Sequence, residues 1–189
     1  MDGGRWSRGG HRVIHQDQSV SYDLAVFDAV AAPRNAPEFT KWYDAQTRWE
    51  ELHSYDDPAV STPALRAWFM EMIRDFPPMN GPFAAVNDAG SARTSGDGHQ
   101  RRRFSLAGLF RSLRDRDDAW TSDYSVGYSI IYVGFAWSKA QAAYRACYRL
   151  AAKHRVGFID VSSDEGDVWF PDGVGGAGLV RAFSMLPDE

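Results

Sequence analysis

The sequence predicts an α+β domain in which about four strands form a mixed or antiparallel sheet with helices packed on one face. Three observations lead there. "SYDLAVF" alternates with the period of a strand, residues 38–76 carry two apolar stripes at helical spacing, and "YSVGYSIIYVGFAW" is rich in β-branched and aromatic residues. The predicted order is β-α-α-loop-β-α-β-β, loosely ferredoxin-like, within residues 21–171. A chain of 189 residues that is 44% hydrophobic has enough apolar material for one sizeable core and is short for two domains.

The first 20 residues are rich in Gly, Arg, His and Gln without periodicity, and are expected to be a disordered arm. The first strand follows, with Tyr22, Leu24 and Val26 on one side and Asp23, Ala25 and Phe27 on the other. Pro37 suits the first turn of a helix, where its missing N–H would have no partner in any case. That helix is expected to run from about Glu38 to Leu52, with Phe39, Trp42, Tyr43 and Trp49 at roughly 3.6 spacing. "STP" opens the next one, with Ser61 or Thr62 as cap and Pro63 at the first helical position. Its stripe is Leu65, Trp68, Phe69, Met72, Ile73 and Phe76, and "PPMNGP" stops it.

Residues 124–137 read as one central strand, apolar on both faces. Ser138 to Gln141 has the form of a capping box and introduces a helix whose Ala140, Ala143, Tyr144, Cys147, Leu150 and Ala151 share a side. "VGFIDV" and "DVWF", joined by "SSDEG", read as a hairpin. Residues 172–189 are glycine-rich and expected to be a loose tail, in which "LVRAF" offers a short edge strand.

Charge is segregated along the chain. Residues 21–88 carry 5 basic and 11 acidic side chains, whereas residues 89–120 carry 7 basic and 4 acidic ones. This second segment reads as a flexible basic insertion, within which Leu106, Leu109, Phe110 and Leu113 fall on one face of a short amphipathic helix broken at Gly108. No run approaches the roughly 20 apolar residues of a membrane span. Neither a secretory leader nor a nucleic-acid module is legible, so a cytoplasmic location is expected and nucleic acid is not expected as a partner. The one cysteine, Cys147, lies on an apolar helix stripe, where packing is expected.

The densest polar cluster is "EELHSYDD". Glu50, Glu51, His53, Asp56 and Asp57 have the side chains that ligate divalent ions or perform acid–base work, but their spacing matches neither an HExxH helix nor a calcium loop. In an interhelix loop before Pro58, turn formation and capping explain the same residues. His154, at the positive-favouring end of its helix, reads as a capping or core histidine. Ser162–Asp167 reads as a hairpin loop, and Gly173–Gly178 lacks the lysine of a phosphate loop. No cofactor motif is present, and none is expected to be bound. Trp42, Trp49, Glu50, Glu51 and Tyr55 place aromatic beside acidic side chains, a composition suited to a protein-binding surface. Two functions follow as expectations. The first is a protein-binding module for a basic partner; the second is a small metal-dependent hydrolase or transferase using His53, Asp56 and Asp57.

"SYDLAVFDAVAAPRNAPEFTKWYDAQTRWEELHSYDDPAVSTPALRAWFMEMIRDFPPMNGP", "DYSVGYSIIYVGFAW" and "AAKHRVGFIDVSSDEGDVWFP" together resemble a group of small bacterial α/β proteins with no settled activity. These open with a Ser-Tyr-Asp-Leu strand and close in a Gly-Phe-Asp-Val-like hairpin. Some similar proteins lie near toxin genes, so the resemblance implies an immunity-like role toward a basic toxin. The chain departs from that pattern at residues 89–120, where a shorter polar linker is expected. Replacing residues 89–120 by a short Gly/Ser linker is expected to leave a cooperatively unfolding protein of nearly unchanged melting temperature, because both flanks keep their own core stripes. Thermal denaturation followed by circular dichroism checks this.

Overall fold

A strand can be apolar on both sides only if both faces of its sheet are covered, and β1 (Tyr22–Phe27) is such a strand. A computed structural model of the chain describes residues 21–84, 120–173 and 176–185. The expected arm at 1–20, and the expected insertion apart from Trp120, lie outside the described residues. After β1 come α1 (Ala36–Gln46), α2 (Pro63–Met72), β2 (Asp123–Val126), β3 (Ile130–Phe135), α3 (Ala140–His154), β4 (Gly157–Asp160), β5 (Asp167–Pro171) and β6 (Leu179–Ser184). The six strands form one sheet in the order β2-β3-β1-β4-β5-β6, and every pairing between them is antiparallel.

The α+β class is therefore as the sequence predicts, while the strand count and the placing of the helices are not. One strand was hidden, and another was offered only as an edge addition to the tail. The run read as one central strand folds back on itself, because Gly127 N–H donates to the Ile130 carbonyl and closes a tight turn through Tyr128 and Ser129. Gly-Tyr-Ser-Ile carries none of the Asn-Gly or Asp-Gly dipeptides that announce a two-residue hairpin. "LVRAF", the short edge strand that the sequence offers inside the expected loose tail, is the core of β6, lies at the edge of the sheet and pairs along β5 with an irregularity at Val168/Trp169. The ferredoxin-like expectation survives in one unit. β3 and β4 are both antiparallel to β1 and flank it, so α3 joins two parallel strands by crossing over the one between them.

The helices divide between the two faces. Leu24, Val26, Ile131, Val133 and Phe158 meet α2 and α3 through Leu65, Trp68, Phe69, Met72, Ala143, Cys147, Leu150 and Ala151. Small residues on α3 admit the large ones of α2, and the Trp68 indole N–H reaches the Cys147 carbonyl at 3.4 Å. Burial pushes the Cys147 thiol well above its ordinary pKa, as suits a core side chain. Glu71 of α2 receives the Lys153 ammonium at 2.7 Å and the His154 imidazole at 2.8 Å. These two contacts, Lys153 first, hold its carboxyl down at about 2. His154 therefore pins two helices together.

The opposite face holds α1, which corrects the expectation of helices on one face. Phe27 is its centre, edge-on to Phe39 at 5.0 Å, Phe170 at 5.1 Å and Trp42 at 5.9 Å. The helix begins where Asn35 accepts the Glu38 N–H at 3.1 Å and returns a bond to the Glu38 carboxylate at 2.8 Å. It ends at Gln46, not near Leu52, because Trp49 takes a left-handed φ of 55° and turns toward Tyr55 and Tyr132. The expected capping box at Ser138 is not formed either. Trp137–Lys139 is a short 3-10 turn, and α3 starts after Lys139 without a side-chain cap.

Opposite Phe27 in the β1–β4 register stands Gly157, where a Cβ would lie 2.1 Å from the Phe27 ring. That ring is fully buried and cannot move aside. Gly157→Ala is expected to cost about 3 kcal/mol of stability, the upper part of the range for overpacking. Adding Phe27→Leu to it should cost less than the sum of the two single changes, because the smaller side chain relieves the clash. Urea unfolding of the two single variants and the double variant measures this.

Candidate functional site

The "EELHSYDD" cluster is a fastening between a loop and the β2–β3 turn. Both Glu51 carboxylate oxygens accept the Tyr128 N–H, at 3.0 and 3.2 Å, and the Tyr55 carbonyl accepts the Val126 N–H at 2.8 Å. The Tyr55 hydroxyl accepts from the Glu51 N–H at 2.6 Å. His53 lies between the rings of Tyr55 and Tyr128, each 4.7 Å away. Its Nδ1 faces the Ser54 carbonyl at 2.7 Å and its Nε2 faces the Glu51 carboxylate. A carbonyl and a carboxylate both require a donor, so the geometry favours an imidazolium with neither lone pair free for a metal. The bond to the Ser54 carbonyl, followed by Glu51, raises the His53 pKa, and burial opposes them.

The two aspartates have separate work. Asp57 accepts the Ala59 N–H at 2.9 Å and caps the 3-10 turn Pro58–Val60. Asp56 packs against Gly81, which takes a φ of +80° and where a Cβ would stand 2.7 Å from the Asp56 Cβ. Among the described residues no three His, Cys, Asp or Glu side chains are grouped to hold a metal ion. Of the aromatic and acidic residues that suggest a protein surface, Trp42 packs on Phe27 and Phe39. Glu51 and Tyr55 belong to the fastening. Glu50 is exposed, and Trp49 turns into a cleft.

That cleft, about 790 Å³, opens beyond the C-terminal end of α1 over the start of β1, the end of β3 and the start of β2. Its floor is a row of three residues in register across the strands: Asp123 of β2, Gly134 of β3 and Asp23 of β1. Strands lie about 4.8 Å apart, so the two aspartate Cα atoms stand on the order of 10 Å apart with the glycine between them. Tyr132 donates its hydroxyl to Asp23 Oδ2 at 2.8 Å and draws that carboxylate over β3. A Cβ built on Gly134 would come within 3.2 Å of Asp23 Oδ1. This second oxygen is buried and has no hydrogen-bond donor. Asp123 is exposed at the other side.

Tyr43, Trp49 and Tyr132 form the aromatic wall, and Ser21, Thr47 and Ser125 add hydroxyls. Burial, then the Asp23 and Asp44 carboxylates, push the Tyr43 phenol up to about 12, so it remains a protonated donor. No Lys, Arg or His lines the cleft among the described residues, and the last turn of α1 contains no basic residue. Two carboxylates and the negative end of a helix therefore act on one space. Sequence reasoning missed Asp23, Asp123, Tyr132 and Gly134. A signal existed in part: a charged residue in a strand otherwise apolar on both faces, and a glycine inside a strand, mark a close approach or a polar site.

The His53 fastening has a pH dependence of definite sign. A histidine whose folded pKa is raised stabilises the fold fully below its unfolded value of about 6.5, and that contribution is lost as pH rises through the folded value. Melting temperature is expected to fall across this window, and His53→Gln should remove that part of the slope, lying below the parent by a constant offset under pH 6 and approaching it as pH rises. Thermal melts from pH 5.5 to pH 9 check it. No family model, no curated protein and no solved structure matches the chain.

Proposed function

We propose that the protein is a binding module whose partner is a basic protein, and that the Asp23/Asp123 cleft receives a cationic side chain of that partner. One observation carries the reading: two carboxylates flank a glycine floor beneath an aromatic wall, in a cleft with no basic lining residue among those described. A buried carboxylate oxygen without a donor costs roughly 1–3 kcal/mol, which an incoming N–H recovers. Aromatic faces beside it favour a cation further. An acidic receiving surface also speeds encounter with a basic partner, as an immunity-like role toward a basic toxin requires. The alternative of a metal-dependent hydrolase or transferase at His53, Asp56 and Asp57 has less support, because His53 and Asp57 are engaged in holding the loop and its turns, and the three are not grouped to hold an ion.

No helix among the described residues is long and apolar enough to cross a membrane. A purified peptide containing both lysine and arginine, titrated into the isotope-labelled full chain, is expected to shift the Gly134 amide and the Trp49 indole resonances first. Affinity should fall steeply with added salt. Asp123→Asn, at an exposed position, should weaken binding by about tenfold, the effect of one lost charge-assisted contact. Shifts confined to residues outside the cleft would sink the reading.

A further inference from the structure

The cation that fits the cleft has a shape as well as a charge. Asp23 leans over Gly134, held by Tyr132, and Asp123 stands on the far side of the same glycine. A group bound there meets carboxylates on two opposite sides and an aromatic wall of Trp49, Tyr43 and Tyr132 along a third. An ammonium is a compact, strongly hydrated point charge, which pairs with one carboxylate and leaves the other to water. A guanidinium is planar and weakly hydrated, presents N–H donors along opposite edges, and stacks on aromatic faces.

Room for such a plane exists because residue 134 has no side chain. Any other residue would put a Cβ within 3.2 Å of Asp23 Oδ1 and 3.4 Å of Ser21 Cβ, filling the floor on which the plane would rest. Asp23 Oδ2 is already satisfied by Tyr132, so the oxygen left for a ligand is Oδ1. Ser21, exposed just before β1, is the side chain that would have to give way to reach it. Resting on the binding-module reading above, and deepening it, we infer that the cleft is an arginine-recognition site: the partner inserts a guanidinium between Asp23 and Asp123, over Gly134 and against the aromatic wall.

Three capped peptides, identical except for one central residue, separate this inference from the broader reading. The residue is arginine, lysine or citrulline, the last having nearly the shape of arginine without its charge. Each is titrated into the full-length chain by calorimetry and by amide resonance mapping. The arginine peptide is expected to bind at least tenfold more tightly than the lysine peptide, with citrulline weaker still, and its shifts should centre on Gly134 and Trp49. Asp123→Asn should narrow the preference for arginine over lysine, because one of the two opposed carboxylates is then neutral. Free arginine amide, run alongside, distinguishes a site for the lone group from one that needs flanking peptide, and binding of either kind at the cleft supports the assignment. Gly134→Ala should abolish arginine binding; since that variant is tightly packed, its melting curve is recorded, and Asp123→Asn serves if it does not fold. Equal affinity for arginine and lysine peptides would overturn the guanidinium assignment and leave the cation-binding reading standing. Equal affinity for arginine and citrulline, or no cleft shifts with any of the three, would overturn both.

Discussion

Burial of β1 on both faces is the constraint from which the rest of the structure follows. Leu24 and Val26 on one side, and Ala25 and Phe27 on the other, cannot all be buried by a sheet with a single covered face. The chain meets this by sending α2 and α3 to one side and α1 to the other. The two layers are unequal. On the α2–α3 side two helices cover the sheet, while the other side has one helix of 11 residues, about 16 Å long. The α1 layer therefore stops short of the start of β1, and what it fails to cover is the cleft. Asp23 is tolerated on the central strand because it lies in that uncovered end, where Tyr132 supplies a donor to one of its oxygens.

The same constraint explains what could be read in the sequence. The periods of β1, α2 and α3 are set by burial on a definite side, so Leu65, Trp68, Phe69 and Met72 are visible as a stripe and are found buried. Boundaries and faces were less visible, because they are decided between segments distant in sequence. α1 ends at Gln46 since Trp49 and Glu51 are recruited by Tyr132 and Tyr128, which lie some eighty residues later. The β2–β3 turn tolerates Tyr128 at its tip because Glu51 satisfies its N–H from outside the hairpin. A single sequence gives no sign of either contact. The side on which α1 packs was equally hidden, since Phe39 and Trp42 would form the same stripe on either face of the sheet.

The candidate site illustrates a related asymmetry. Polar residues close together in sequence, such as Glu51, His53, Asp56 and Asp57, attract attention as chemistry, yet they are neighbours through a loop whose backbone groups must be satisfied. Here the side chains of His53, Asp57 and Glu51 do that work, through Ser54, Ala59 and Tyr128, while Asp56 packs against Gly81. Asp23 and Asp123 are a hundred positions apart and become neighbours only across Gly134, by strand register. A one-residue slip of β2 or β1 against β3 would turn one aspartate to the other face and dissolve the pair. Register is well specified by the core side of the same strands, where Leu24, Val26, Tyr124, Val126 and Val133 are packed. The hydrophobic core thus fixes the spacing of the two charges without touching them.

The arrangement also has a cost that bears on its purpose. Asp23 keeps one buried oxygen without a donor, and two carboxylates share a space with the negative end of α1 and without a lining cation among the described residues. Each feature opposes folding, by desolvation in the first case and by like-charge repulsion in the second. An apolar residue at position 23 would bring neither penalty. Three other carboxylates have cations beside them: Glu71 has Lys153 and His154, Glu51 has His53, and Asp167 has Arg181 at 2.6 Å. In the cleft, at the uncovered end of the sheet, two carboxylates stand without such a partner among the lining residues. A site destabilised in isolation and relieved by a donor-bearing cation suits the cation-binding role proposed above, because part of the free energy withheld from folding is recovered when such a ligand arrives.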